Sequence, residues 1–256
     1  MDLRQFSEDP GRAGIITDFD GTLAPIVEHP ADARPLPAAV DLLHALAGRY
    51  GRVAVVSGRP AAFLAEHLEL ARRPHGLCAV GLYGLETADG DEVRTDPRAV
   101  EWVPVVEAVA ARAERDAPEG AIVERKGLSL TLHYRTAPQA AGWASAWAAA
   151  QAAATGLARH PARMSEELRP PVPVDKGTVV AGLAAGLGAV CFLGDDVGDL
   201  PAFAALDAAA AGGAVTLKVG VRSEEAPAEL LDAADVVVNG PEGAVALLSE
   251  LLGPAR

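Results

Sequence analysis

Cysteine is nearly absent from this 256-residue chain, which has only Cys78 and Cys191. Each lies in an apolar run, L-C-A-V and V-C-F-L, which reads as two buried free thiols in a reducing compartment; the alternative is one disulfide between them. Basic residues are in deficit, with 22 Lys and Arg against 35 Asp and Glu and a formal charge of −13. That balance argues against a nucleic-acid partner or an anionic membrane surface. It leaves a phosphorylated small molecule open, because a bound divalent cation and a few local cations invert the field inside a cleft. Long apolar runs are missing too. The least polar long stretch, Trp143 to Ala158, is mostly alanine and carries Ser145, Gln151 and Thr155, so it reads as a packed helix rather than a membrane span. The first ten residues contain no apolar signal core, and the expectation is a cytoplasmic protein. Internal repeats and low-complexity linkers are also lacking.

What is present is an ordinary globular composition, 50% hydrophobic and 22% charged, in a chain long enough for one large domain or two small ones. Apolar pairs and runs at Ile15-Ile16, Val53 to Val56, Leu77 to Val80, Ala189 to Leu193, Val215 to Val219 and Val236 to Val238 read as strands. Helical spacing is found at Pro37 to Gly48, Ala61 to Leu70, Asp175 to Leu187, near Ala226 to Ala233, and at Pro241 to Leu252. Strands alternating with helices predict βαβ units and a parallel sheet. The rhythm breaks after about Asp96. There a helix from Trp102 to Arg115, two strands (Ala121 to Glu124 and Ser129 to Tyr134) around a Lys126-Gly127 turn, and a helix from about Pro138 to Thr155 predict an inserted α+β unit. The expected organisation is a core of residues 1–95 and 170–256 with an insertion at 96–169.

Chemistry-bearing residues collect where the core strands stop. Asp18 and Asp20 follow the first strand in G-I-I-T-D-F-D-G-T-L-A-P, Ser57-Gly58-Arg59 follows the second, Lys176 opens a late helix, and Asp195 and Asp196, with Asp199 close behind, follow the Ala189 strand. In open α/β sheets ligands bind outside the carboxyl ends of the strands. A lone D-x-D is most often a solvated turn, and a lone lysine a surface residue. Together, in this order, these residue types support phosphoryl transfer through an aspartate. One carboxylate attacks phosphorus, and a second, two residues on, passes a proton to the leaving alkoxide and later takes one from water. Mg²⁺ needs only one or two carboxylates besides phosphate and water, which Asp18 and Asp195 supply. A hydroxyl at Ser57, the Arg59 and Lys176 cations, and amides near Gly21 and Thr22 are expected to hold the phosphate oxygens.

D-F-D-G-T-L, S-G-R, a distant K-G and G-D-D with a further Asp resemble the haloacid dehalogenase superfamily of phosphatases. The resemblance implies a doubly wound core, an aspartyl-phosphate intermediate and Mg²⁺. It makes Asp18 the nucleophile, Asp20 the acid/base and a metal ligand through its carbonyl, Ser57 and Lys176 phosphate ligands, and Asp195 a metal carboxylate supported by Asp196 and Asp199. In the insertion, E-x-K…H-Y-R and then E-L-R-P ahead of D-K-G are similar to trehalose-6-phosphate phosphatases. That similarity implies that Glu124, Lys126, Arg135 and Glu167 bind sugar hydroxyls, with Glu86, in the G-L-Y-G-L-E turn, a further contact. Tyr83 stands where many members carry histidine, Gly198, Leu200 and Pro201 replace the Thr and acidic pair that often follow G-D-D, and Ser165-Glu166 falls where apolar strand residues are usual. The implied function is Mg²⁺-dependent hydrolysis of trehalose 6-phosphate in trehalose biosynthesis, on a small-molecule sugar phosphate with no nucleic-acid, membrane or obligate protein partner. The alternatives are a general sugar phosphatase, including one for sucrose 6-phosphate, and a catalytically silent sugar-phosphate-binding or scaffold protein.

Overall fold

In the computed structural model, which describes residues 3–71 and 76–253, the chain forms two compact units. One comprises Met1–Val27, Ala33–Arg94 and Val174–Arg256, the other Glu28–Asp32 and Thr95–Pro173. In chain order the elements are α1 (Arg4–Glu8), β1 (Ala13–Thr17), α2 (Pro37–Ala47), β2 (Arg52–Val56), α3 (Ala61–His67), β3 (Leu77–Gly81), β4 (Glu86–Asp89) and β5 (Glu92–Thr95). The second unit holds α4 (Pro97–Val100), α5 (Val103–Asp116), β6 (Ile122–Arg125), β7 (Leu130–His133), α6 (Ala141–Thr155), β8 (Ala158–Ala162) and β9 (Ser165–Arg169). The chain then returns through α7 (Lys176–Ala184), β10 (Ala189–Gly194), α8 (Leu200–Ala211), β11 (Val215–Arg222), α9 (Ala228–Ala233), β12 (Val236–Asn239) and α10 (Gly240–Leu252).

The first unit is built on an eight-stranded sheet in the order β12-β11-β10-β1-β2-β3-β4-β5. Strands β12 to β3 of that order run parallel, and β4 turns back antiparallel to β3. Alternate residues of a strand point to opposite faces, and both faces here are apolar. Ile15, Val53, Val55, Cys191 and Leu193 pack with Leu43 and Leu46 of α2, Leu64 of α3 and Leu247, Leu248 and Leu251 of α10. Ile16, Ala54, Val56, Val190 and Phe192 pack with Val180 of α7, Phe203 and Leu206 of α8 and Leu230 of α9. Covering both faces is why these strands read as continuous apolar runs. The register pairs Thr17 with Leu193 and with Val55, so β1, β2 and β10 end level with one another. Both cysteines are free thiols.

The second unit has a four-stranded antiparallel sheet, order β6-β7-β9-β8. One face carries Leu130, Leu132 and Leu168 against Val106, Val109 and Ala113 of α5 and Ala144 and Ala148 of α6, with Trp102, Trp143 and Trp147 around them. No helix among the described residues is long and apolar enough to cross a membrane.

Three strands and three helices lack the patterns that reveal the others. The hairpin of β4 and β5, E-T-A-D-G-D-E-V-R-T, buries only Ala88, so no apolar alternation marks it; its one signal is the Asp89-Gly90 pair, a common hairpin turn. β8, A-R-H-P-A, is a polar edge strand where a proline is tolerated. α8 sets Leu200, Phe203 and Leu206 among alanines, which blur its apolar period, and α1 and α4 are too short to show one.

Phe192 is fully buried and meets Phe203 edge to face at 6.1 Å. Phe192→Ala is expected to cost about 3–5 kcal/mol of stability, read as a lower urea midpoint for the first unit.

Candidate active site

The carboxyl ends of β1, β2 and β10 present the predicted groups side by side. Asp18 is fixed by its amide, which donates to Leu193 O at 2.8 Å, so the nucleophile candidate is tied to β10 by backbone. Phe19 points the other way, fully buried and edge to face with Phe63 at 5.9 Å. The chain then closes into a tight turn in which Leu23 N and Ala24 N donate to Phe19 O. Gly21 has φ 77°, and a Cβ there would overlap the Asp195 carboxylate, so this position needs both glycine's left-handed freedom and its lack of a side chain. The amides of Gly21 and Thr22, expected to face a phosphate, donate within the turn instead, to Ala24 O and Phe19 O. The group left at this turn is the buried hydroxyl of Thr22, which has no hydrogen-bond partner among the described residues.

Lys176 enters from the first turn of α7. The Asp175 side chain accepts from Thr178 N at 2.7 Å in a capping box, which fixes the helix start. Gly177 lets α7 sit against α8: a Cβ there would stand 2.7 Å from Pro201 O. The buried ammonium then lies 2.9 Å from Asp18 Oδ1 and 2.6 Å from Asp199 Oδ1. Asp199 Oδ2 accepts from the amides of Asp195 and Asp196 at 3.0 and 3.1 Å, so this side chain shapes the turn that carries Asp195. Asp196 is half-buried and accepts from Val197 N at 2.7 Å, capping the short 3-10 turn Val197–Asp199.

Asp18, Asp195 and Asp199 bring one carboxylate oxygen each within 4.8 Å of one another, all three buried. Burial pushes the Asp18 carboxyl well above its ordinary value; Lys176 opposes the shift, while Asp199 and Asp195 add to it. Burial works against the charge on Lys176, but Asp18 and Asp199 outweigh it and hold the lysine well above its ordinary pKa. One cation therefore faces three acids in a dry volume. An all-oxygen donor set with excess negative charge suits a hard divalent cation, and Asp18 and Asp195 are the side chains that would hold it, with Asp199 behind them.

Arg59 and Glu86 are committed to other partners. Arg59 grips Asp20 with two hydrogen bonds of 2.8 Å, to Oδ1 and Oδ2, while its guanidinium lies 4.9 Å over the Phe63 ring. It therefore meets the acid/base candidate at this turn, the position from which it was expected to hold phosphate. Glu86 Oε2 accepts from Ala61 N at 2.8 Å, satisfying an amide at the start of α3; burial pushes its carboxyl up, and the amide opposes that shift. Ser57 is buried, and its Oγ accepts from Arg59 N at 3.2 Å. The Leu82-Tyr83 turn is stitched to the same loop: Leu82 N donates to Arg59 O, and Tyr83 N to Ser57 O. Both residues have positive φ, 47° and 59°, a conformation that non-glycine residues seldom adopt.

Within the second unit, the sheet face opposite α5 and α6 is polar. Glu167 Oε1 accepts from Ser129 Oγ at 2.8 Å and lies 3.4 Å from Lys126 Nζ. Glu124 Oε2 lies 2.7 Å from His133 Nε2 and 3.9 Å from Lys126 Nζ. Lys126 thus stands between the two glutamates, while Arg135 lies in the turn after β7. Ser129 and His133 had no assigned role, although the alternation S-L-T-L-H along 129–133 marks them as one face. Glu166 points to the helix side, where Arg159 holds it at 2.7 and 2.8 Å and reaches Ser145 of α6 at 2.9 Å. Only the Glu166 end of this ion pair is buried, and the strand register sets Glu167 opposite Thr131.

A parallel α/β sheet whose strand ends gather an aspartate pair, a lysine and a further acidic turn has the haloacid-dehalogenase-like fold. A haloacid dehalogenase-like hydrolase from Bacteroides thetaiotaomicron superposes with a TM-score of 0.63, over 93% of this chain and 99% of that one, at 16% identity. The chain belongs to the trehalose-phosphatase family, whose model matches residues 16–233. A trehalose-phosphate phosphatase from Mycolicibacterium paratuberculosis is 33% identical over 204 residues, 75% of this chain and 51% of the relative. The chain spans about half the length of the curated relatives it matches. The C-terminal domain of a trehalose-6-phosphate phosphatase from C. albicans shares the fold at TM-score 0.78, over 99% of this chain and 96% of that one, at 22% identity. The family implies a divalent metal, and the three buried acids form an acidic cluster with the chemistry to receive one.

The raised Asp18 pKa has a consequence for stability. Between the ordinary value of 3.8 and the raised one, the folded state keeps a proton that the unfolded state has released, so this contribution falls as pH rises through that window. In chelator-treated protein, the unfolding free energy of wild type minus that of Asp18→Asn is expected to decline with pH across the window. A difference that stays flat would mean that Asp18 does not titrate in this way.

Proposed function

We propose that the protein is a Mg²⁺-dependent phosphatase that hydrolyses trehalose 6-phosphate to trehalose and phosphate. The first unit acts as catalytic core and the second as the substrate-recognition cap. The observation that carries the proposal is the buried Lys176 joined to Asp18 and Asp199 with Asp195 alongside, in a chain of this family.

In the proposed reaction an Asp18 oxygen attacks phosphorus, and the bond from phosphorus to the sugar oxygen breaks as the aspartyl phosphate forms. Asp20 gives a proton to the departing sugar oxygen. It then takes one from the water that cleaves the acyl phosphate, so phosphate leaves and both side chains return to their starting states. Lys176 fixes the attacking carboxylate and offsets charge on the phosphoryl group, with Ser57 and Thr22 offering hydroxyls to its oxygens. Arg59 keeps Asp20 oriented. Mg²⁺, when bound by Asp18, the Asp20 carbonyl and Asp195, with Asp196 and Asp199 supporting it, would supply the charge that lets an anionic phosphate approach buried carboxylates. In the second unit, Glu124 and Glu167 accept hydrogen bonds from sugar hydroxyls while Lys126 and Arg135 donate to sugar oxygens. The proposal places the enzyme in the cytoplasm and gives it no nucleic-acid, membrane or obligate protein partner.

Purified protein with Mg²⁺ is expected to release phosphate from trehalose 6-phosphate faster than from glucose 6-phosphate or sucrose 6-phosphate. Chelation should abolish release, and Asp18→Asn should reduce it at least about 10³-fold with the far-UV circular dichroism unchanged. Equal rates across the panel would point to a general sugar phosphatase. Binding of the sugar phosphate by calorimetry without release would point to a silent binding protein.

Loss of the Arg59 grip on Asp20 should appear mainly in kcat. Arg59→Met is expected to lower kcat about 10²-fold with KM changed less than about threefold. A purely KM effect would instead assign Arg59 to phosphate binding.

A further inference from the structure

Two buried side-chain hydroxyls have no hydrogen-bond partner among the described residues, Thr22 and Thr131. Thr22 belongs to the Asp18 turn. Thr131, only 3% exposed, has no part in the chemistry above. The pairing of β7 sets it directly opposite Glu124 on β6 and directly opposite Glu167 on β9. Directly opposed residues of antiparallel strands share a face, with Cβ atoms about 4.5–5.5 Å apart. Thr131 therefore stands between the two carboxylates assigned to the sugar.

Each neighbour already has another partner: Ser129 donates to Glu167, and His133 pairs with Glu124. A hydroxyl buried without a partner destabilises the folded chain, and valine would fill the same space without that cost. The polar atom is explained if a ligand completes its hydrogen bond.

We propose that the Thr131 hydroxyl is a specificity-determining contact for a polyhydroxylated sugar lying across Glu124 and Glu167. A sugar hydroxyl that donates to either carboxylate keeps lone pairs for Thr131 Oγ1–H. Carboxylates only accept and Lys126 only donates, whereas a threonine hydroxyl does either. Thr131 thus recognises a hydroxyl already engaged by a glutamate, and a substrate lacking that hydroxyl gains nothing from it. The inference rests on the sugar-phosphatase function proposed above.

The test uses the full chain with Thr131→Val and Thr131→Ser, assayed on trehalose 6-phosphate, glucose 6-phosphate, sucrose 6-phosphate and p-nitrophenyl phosphate, which has no sugar hydroxyls. Thr131→Val is expected to lose about tenfold in kcat/KM on the preferred sugar phosphate, to stay within about twofold of wild type on the aryl ester, and to melt at a higher temperature than wild type without ligand. Thr131→Ser should stay within about threefold of wild type on both kinds of substrate. Overturning results are an unchanged kcat/KM for Thr131→Val on the sugar phosphate, an equal loss on both kinds of substrate, or a lower melting temperature. A wild type without preference for trehalose 6-phosphate defeats the function proposed above, yet the Thr131 comparison is still decided on whichever sugar phosphate turns over fastest. A wild type that cleaves no sugar phosphate overturns both.

Discussion

The carboxyl edge of the parallel sheet depends on one buried charge arrangement, the Lys176 ammonium held between Asp18 and Asp199 with Asp195 beside them. Three carboxylates in a dry volume repel one another and lose hydration, and one lysine offsets only part of that. The surrounding structure is organised to hold the four charges in place. The β1–β10 register sets Asp18 beside the Asp195 turn, the Asp175 capping box aims Lys176, and Asp199 closes the acidic turn onto its own backbone. A site with surplus negative charge is poorly matched to a phosphate ester by itself and well matched to one that meets a cation there. The overall charge of −13 therefore says little about a local field set by a handful of side chains.

Around that centre, several polar groups hydrogen-bond the turns that carry the candidate residues. Arg59 grips Asp20 and stacks on Phe63, while Phe63 also packs on Phe19, so one aromatic ring links the acid/base turn to the core. Glu86 completes the start of α3, and the strained Leu82-Tyr83 turn holds the Ser57 loop. Preorganisation of this kind confines the reacting groups to one geometry, which is where enzymes gain most of their electrostatic advantage.

The second unit obeys a different rule, the two-residue period of a sheet with one apolar and one polar face. Glu166 and Glu167 are adjacent and both buried, yet one pairs with Arg159 on the helix side and the other with Ser129 on the polar side. A shift of one residue in β9 would exchange their roles. Register is what gathers Glu124, Lys126 and Glu167 on one polar face.

The sequence by itself determined the alternating strands and helices, the interruption near residue 96 and the identity of the groups at the strand ends, because apolar periodicity and motif spacing are local properties of the chain. It left the β4–β5 hairpin, β8 and the helices α1, α4 and α8 unmarked, since edge strands bury little, very short helices show no period, and alanines blur the Leu200, Phe203 and Leu206 face of α8. The partners of Arg59 and Glu86 were decided only in three dimensions. Asp20 lies 39 residues from Arg59, and Ala61 lies 25 from Glu86, and nothing in local spacing distinguishes a cation that binds phosphate from one that orients a carboxylate. Thr131 is the clearest case. In sequence it is one polar residue in an alternating strand, and its place between Glu124 and Glu167 exists only because three strands align in register, a long-range constraint that side-chain identity alone does not encode.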